Sequence, residues 1–162
     1  MTNTQTDDER RSAARAVHER SLQLLLDKDM RGWVDLWTDD CVFEFPFAPP
    51  GYPQRLEGRD AVWDYIKDYP SKIDLKAFHD VRYLHGADPD VLVVEMRSEG
   101  RALGTDKPYN MQYISIITVR DGRIAHYRDY WNPLAVANAL GGIDAFMKAF
   151  DTPLAATNAP DA

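Results

Sequence analysis

Apolar positions along the chain change their period once, dividing it into a helical first part and a stranded second part. From Asp8 to Leu26 the residues Ala14, Val17, Leu22, Leu25 and Leu26 recur at helical spacing. Lys28 and Asp29 interrupt the pattern. Asp29 is placed to cap a second helix over Met30 to Trp37, whose apolar face is Trp33, Val34, Leu36 and Trp37. Residues 42–47, VFEFPF, alternate with Phe43, Phe45 and Phe47 on one side, which predicts a strand that Pro46 confines to an edge or an end. A loop rich in turn formers, APPGYPQRLEG, leads to a third helix from Arg59 to Tyr69, stopped by Pro70.

Thereafter the period is two. Strands are predicted over 75–85, 91–100, 109–120 and 123–131, with a turn at 86–90 and the hairpin signal Asp121-Gly122 before the last strand. Residues 134–150 carry a weak helical pattern in which Gly141-Gly142 reads as a stop. Helices first and a meander after predict an α+β domain, a curved antiparallel sheet wrapped around N-terminal helices. If the sheet curls into a cone, its wide end is a cavity lined by alternate residues.

Length suits one domain: the 162 residues divide into a flexible N-terminus over 1–8, a single domain over 9–150 and a flexible tail over 151–162. At 44% hydrophobic and 28% charged the composition is globular. The net charge of −7, with bases interspersed among acids, argues against a nucleic-acid partner. Apolar runs of four residues or fewer fall far short of the roughly 20 a membrane helix needs, so no membrane association is expected. The first twenty residues lack the apolar stretch of a secretory signal, and Cys41, the single cysteine, allows no internal disulfide. The expected compartment is the cytoplasm.

The candidate chemistry is aromatic and hydroxylic. Tyr52, Trp63, Tyr65, Tyr69, Tyr83, Tyr109, Tyr113, Tyr127, Tyr130 and Trp131 crowd one small domain. Buried tyrosine hydroxyls need partners, so this density fits an amphipathic pocket better than a solid core. His79 shares the phase of Leu75, Ala77, Val81 and Tyr83 and so turns inward, either to orient an acid or bind substrate, or as a satisfied core residue. His18, His85 and His126 read as surface residues, and Cys41 as a small buried hydrophobe. No HxH, HExxH or CxxC spacing and no glycine-rich strand-to-helix loop occurs, so neither a metal nor a cofactor is expected.

The runs WTDDCVFEFPFAPPGYPQRLEGRDAVWDYI, VLVVEMRSEG and YISIITVRDGRIAHYRDYWNPL resemble the ketosteroid-isomerase-like and SnoaL-like superfamily over about residues 10–141. The closing DGRI and RDYWNPL are most similar to SnoaL-like polyketide cyclases and to the phenazine-biosynthesis PhzA/PhzB proteins. The resemblance implies a cone-shaped α+β barrel with a deep pocket and no metal, dimeric through the outer sheet face. The ketosteroid-isomerase base falls at Phe45, its oxyanion tyrosine at Ser21 and its protonated aspartate at Ser115, so all three are replaced. SnoaL-like cyclases and PhzA/PhzB proteins instead place an acid before the aromatic-Asn-Pro segment, here Asp129. By alternation Asp129 shares a face with Tyr127 and Trp131. The helix that bears a histidine in PhzA/PhzB proteins carries Tyr65, with Tyr69 one turn on. Val94 and Met96 match pocket-lining positions, which leaves Glu95 and Arg97 on the outer face toward a dimer partner; Glu44 likewise opposes the phenylalanine face.

The expected function is that of a cofactor-free cyclase or isomerase of secondary metabolism, acting on a small, largely apolar carbonyl compound. Asp129 would be its acid–base group, with Tyr65 and His79 assisting. Phe45, Trp63, Tyr69, Met96, Tyr113, Ser115, Tyr127 and Trp131 would line the substrate site. The alternatives are a small-molecule binding protein of the same fold, or an epoxide hydrolase or dehydratase.

Overall fold

The computed structural model describes residues 5–49 and 51–142. Helix α1 (Asp7–Leu26) opens with a capping box that the pattern reading did not find. The Glu9 amide donates to Thr6 Oγ1 at 3.2 Å, and the Thr6 amide donates to Glu9 Oε2 at 2.7 Å. Asp7 and Asp8, read as part of a flexible end, therefore form the first helical turn, where their charges favour the positive end of the helix dipole. Helix α2 (Met30–Asp35) is capped by Asp29, whose Oδ1 accepts from the Gly32 amide at 2.8 Å.

Strand β1 (Trp37–Glu44) begins earlier than the alternation suggested. Phe43 and Phe45 are buried, but Phe47 is 61% exposed. The chain reverses at Pro46, where the Phe45 carbonyl accepts from the Ala48 amide at 3.0 Å. That turn carries Phe47 off the phenylalanine face and onto Tyr130, ring centroids 5.1 Å apart. A short β2 (Arg55–Glu57) follows in the segment read as loop, and the helix expected over 59–69 is split into α3 (Arg59–Ile66) and α4 (Tyr69–Lys72). Strands β3 (Ile73–His85), β4 (Val91–Ala102), β5 (Lys107–Pro108), β6 (Met111–Arg120) and β7 (Arg123–Trp131) complete the sheet, and α5 (Pro133–Ala139) closes the described chain. The part of the 134–150 reading beyond residue 142, and the 151–162 tail, lie outside the described residues.

The sheet runs in the order β2-β1-β7-β6-β4-β3, with β5 paired to β4. It is curved and unclosed, and antiparallel except where β1 lies parallel to β7. The β6–β7 hairpin turns at Asp121 and Gly122, both at positive φ as a two-residue turn of this hand requires. Trp33, Trp37, Phe43 and Phe45 form a string of packed rings with successive centroids 4.9, 5.0 and 4.4 Å apart. It joins α2 to β1, and Leu92, Val94, Ile117 and Ile124 extend the core across the sheet.

Two irregularities in β3 overturn the placement of His79. Leu75 pairs with Gly100, but Ala77 pairs with Glu99, so Lys76 is an extra residue in the ladder. A second register shift follows between His79 and Arg82, where Asp80 adopts φ +54°. A one-residue slip exchanges the faces of a strand. The first shift turns Phe78 toward the core and His79 outward, and the second returns Tyr83 to the inner face. His79 is exposed and pairs with Glu99 at 2.8 Å.

His18 moves the other way. The buried stripe of α1 is Ala14, His18, Ser21 and Leu22, so a residue read as surface lies in the core at 1% exposure. Its Nδ1 lies 3.1 Å from the Tyr83 hydroxyl and its Nε2 has no partner among the described residues. Arg15 covers the other side of Tyr83, its guanidinium carbon 4.8 Å from the ring centre. Burial lowers the His18 pKa from 6.5 to about 4, because a buried imidazolium loses its hydration. The unfolded chain therefore binds a proton here between those values while the folded chain does not, and stability falls as pH drops from about 6.5 toward 4. In urea denaturation the stability of the wild type relative to His18→Gln is expected to fall by up to about 3 kcal/mol from pH 7 to pH 4.

Candidate active site

The position of the central acid follows from strand β7. Its buried residues are Ile124, Tyr127 and Trp131, and Asp129 sits between the last two on the concave face. Tyr127, Asp129 and Trp131 line a cavity of about 120 Å³ between the sheet and the helices. Tyr65 and Tyr69 reach it from α3 and α4, Ser21, Leu22 and Leu25 from α1, and Phe45, Met96 and Tyr113 from the strands.

Asp129 meets no cation among the described residues. Neither Arg123 nor Arg128 pairs with it, and the described lining residues include no lysine, arginine or histidine. Its direct partner is Ser115, which lies opposite it in the β6–β7 ladder and donates from Oγ to Asp129 Oδ1 at 3.0 Å. The Tyr127 hydroxyl in turn donates to Ser115 Oγ at 3.1 Å. Asp129 is partly accessible and lines the cavity. Loss of hydration raises its pKa from 3.8 to about 7, and the bond from Ser115 only partly opposes this.

Around the carboxyl stands a set of hydroxyls. Tyr52 and Tyr65 are hydrogen-bonded to one another. Tyr69, Tyr109 and Tyr113 line the same cavity. Burial raises the pKa of Tyr65, Tyr69 and Tyr113 well above 10 and that of Tyr109 to about 12, so all remain protonated donors at neutral pH. The chemistry available is proton transfer by one carboxyl near neutrality, with neutral donors beside it. Among the described residues no three His, Cys, Asp or Glu side chains converge as a metal site would require, and Cys41 is buried with a raised thiol pKa.

Asp129, Tyr65, Phe45, Tyr69, Met96, Tyr113, Tyr127 and Trp131 come together as lining residues. Ser115 is wholly buried behind the acid and does not line the cavity. His79 is on the outer face. Trp63 also lies outside: the inward stripe of α3 is Val62, Tyr65 and Ile66, and the ring of Trp63 instead stacks under Arg31, whose guanidinium carbon is 3.7 Å from its centre. Tyr109 and Tyr52 belong to the cavity but were not assigned to it from the sequence. Tyr109 shares the period-two phase of Tyr113 and Ser115, a signal that was there to be followed. Tyr52 lies in an irregular loop where no periodicity could point to it. Glu95 and Arg97 face outward, paired with Arg82 at 3.2 Å and with Asp80. Glu44 likewise faces outward, bound to Arg55 and His126.

A curved sheet closed by helices over an acid-bearing aromatic cavity defines a SnoaL-like α+β protein. The sequence model of the SnoaL-like domain family matches residues 18–127, and the chain belongs to that family. It is 49% identical over 118 residues to the uncharacterized protein YesE of Bacillus subtilis, covering 73% of this chain and 80% of that one. An uncharacterized PhzA/B-like protein of Pseudomonas aeruginosa is 41% identical over 135 residues, covering 83% of this chain and 95% of its own length. The crystal structure of a candidate isomerase from Bacillus subtilis superposes with a TM-score of 0.80 at 43% identity, covering 85% of this chain and 97% of that one. That of a candidate polyketide cyclase from Xanthomonas campestris superposes at 0.69 with 15% identity, covering 81% and 98%, and shows a shared fold. No described helix is long and apolar enough to cross a membrane.

The raised acid has a measurable cost. Between about 3.8 and 7 the folded chain holds the Asp129 proton more tightly than the unfolded chain, so stability from this group falls as pH rises through that window. Asp129→Asn is expected to be more stable than the wild type at pH 8, by at most about 4 kcal/mol, and to lose this advantage near pH 4. Ser115→Ala should raise the Asp129 pKa further, as read from the carboxyl ¹³C shift.

Proposed function

We propose that the protein is an acid–base enzyme of the cyclase or isomerase type acting on a small, largely apolar carbonyl compound. Asp129 removes a proton from the carbon beside the carbonyl. It then returns the proton elsewhere on the substrate, or the carbanion closes onto a second electrophilic carbon. The observation that carries this reading is one carboxyl in an aromatic cavity with no cation among the described lining residues, where loss of hydration makes it a base near neutral pH. Tyrosine hydroxyls beside it can receive the negative charge that develops on oxygen. The family and the cyclase and isomerase descriptions of similar proteins agree with this class.

Epoxide hydrolysis by paired acids fits less well, because Asp129 is the one acid among the described lining residues. A binding protein of the same fold would need no group poised for proton transfer.

The test needs no knowledge of the natural substrate. Small ring ketones in D₂O exchange their α-protons, and the wild-type protein should accelerate that exchange, with a rate that rises through about pH 7 as Asp129 ionises. Asp129→Asn should lower it by roughly 10²- to 10⁴-fold and abolish the pH limb. Undiminished exchange in that variant would remove Asp129 from the chemistry.

A further inference from the structure

The two carboxyl oxygens of Asp129 have different surroundings. Oδ1 accepts from Ser115 Oγ at 3.0 Å. No hydrogen bond from the described residues reaches Oδ2, and Oδ2 is not among the polar atoms sealed in the interior without a partner. It is therefore the accessible oxygen of a side chain that lines the cavity.

The bond to Oδ1 is itself held in place. A serine hydroxyl has one hydrogen and two lone pairs. The hydrogen of Ser115 is committed to Asp129, and its oxygen accepts from the Tyr127 hydroxyl at 3.1 Å. Donation thus runs in one direction, from Tyr127 through Ser115 to the carboxyl. All three groups sit on the β6–β7 hairpin, where Ser115 stands opposite Asp129 and Ile117 opposite Tyr127 with no register shift between them. Tyr127 is then the diagonal neighbour of Ser115 on the same face. Its ring packs against Trp37 and Phe43, with centroids 5.7 and 5.2 Å away, so its hydroxyl comes from a fixed point. Ser115 is wholly buried and does not line the cavity, so a ligand there cannot compete for its hydrogen.

The last torsion of an aspartate side chain is soft and nearly two-fold. A carboxyl without an anchor swings about it and exchanges its two oxygens. With Oδ1 held, the carboxyl plane is fixed. A proton taken up by the acid then sits on Oδ2, because Oδ1 already faces a donor hydrogen. Base and acid forms present the same atom to the cavity.

We infer that Oδ2 is the oxygen of Asp129 that transfers the proton, and that Ser115 and Tyr127 are positioning residues that aim it at the substrate by anchoring Oδ1. In the forward step the substrate C–H bond breaks, the Oδ2–H bond forms, and the electron pair moves onto the substrate's carbonyl oxygen; the return step reverses this at the receiving carbon. The inference rests on the acid–base reading of Asp129 and adds which atom acts and what holds it.

The test is the pH profile of α-proton exchange from cyclohexanone in D₂O, followed by proton NMR, with its wild-type midpoint at about pH 7. Ser115→Ala should raise the midpoint by about one unit or more and lower the plateau above it by about tenfold or more. The sign of the plateau change is diagnostic, since a stronger base left in the same place would exchange faster. Tyr127→Phe should move midpoint and plateau in the same directions by smaller amounts. The double variant should match Ser115→Ala alone, because Tyr127 reaches the carboxyl only through Ser115. Titration of the Asp129 carboxyl by its ¹³C shift reads the same midpoints without turnover. Urea midpoints establish that each variant is folded, and Tyr127→Phe, which removes a single oxygen, keeps the test open if Ser115→Ala does not fold. The inference is overturned if the midpoint stays in place, if the plateau of Ser115→Ala rises, or if the two substitutions add in the double variant. Any of these results leaves the acid–base reading standing, whereas a wild-type protein that exchanges no α-protons would defeat that reading and the inference with it.

Discussion

Asp129 is a carboxyl held in an aromatic cavity with no cation among the described lining residues to neutralise it. Burying a charge without a partner is among the most costly arrangements in a protein, and the usual outcome is that the group keeps its proton. Here a single bond from Ser115 opposes that outcome, and the acid settles near neutrality. The surrounding structure serves to maintain this state. The helices cover the concave face of the sheet, Trp33, Phe43 and Phe45 of the packed ring string give the cavity part of its apolar wall, and the Tyr127 hydroxyl donates to the Ser115 oxygen that in turn donates to the carboxyl.

The two deeply placed titratable groups act in opposite senses. His18 is held neutral by burial and makes acid unfavourable to the fold; Asp129 is held protonated by burial and makes base unfavourable. His18 sits between α1 and Tyr83, away from the cavity lining, and its cost is part of closing the helix onto the sheet. The cost of Asp129 is different, since an asparagine of the same size would avoid it. A group that destabilises its own fold at neutral pH, in a cavity with donors around it, is the pattern of a functional site more than of a structural one.

The outer face follows another logic. On β3 and β4 the side chains that point away from the core pair across the strands: His79 with Glu99, Arg82 with Glu95, Arg97 with Asp80. The charges expected to face a partner through Glu95 and Arg97 thus find neighbours within the chain. Exposed Phe47 and Ile114 lie on the same side as apolar surface.

The amino-acid pattern by itself determined the order of the longer helices and strands, the Asp29 cap, the Asp121-Gly122 hairpin and the inward face of β7. These depend on local spacing and capping chemistry, which act within a few residues. The placement of Asp129 beside Tyr127 and Trp131 was legible for the same reason, because β7 runs without a register shift from His126 to Trp131 and its alternation holds. His79 could not be placed in this way, since the bulges at Lys76 and near Asp80 arise from how β3 pairs with β4 and leave no mark in composition. Only the tertiary structure decided that His18 would be enclosed, that Ser115 would stand behind the acid and not beside it, and that Tyr52 would join the cavity. Each of these is a meeting of residues far apart in the chain, and a meeting of that kind is settled by how the sheet curves and which helix covers it.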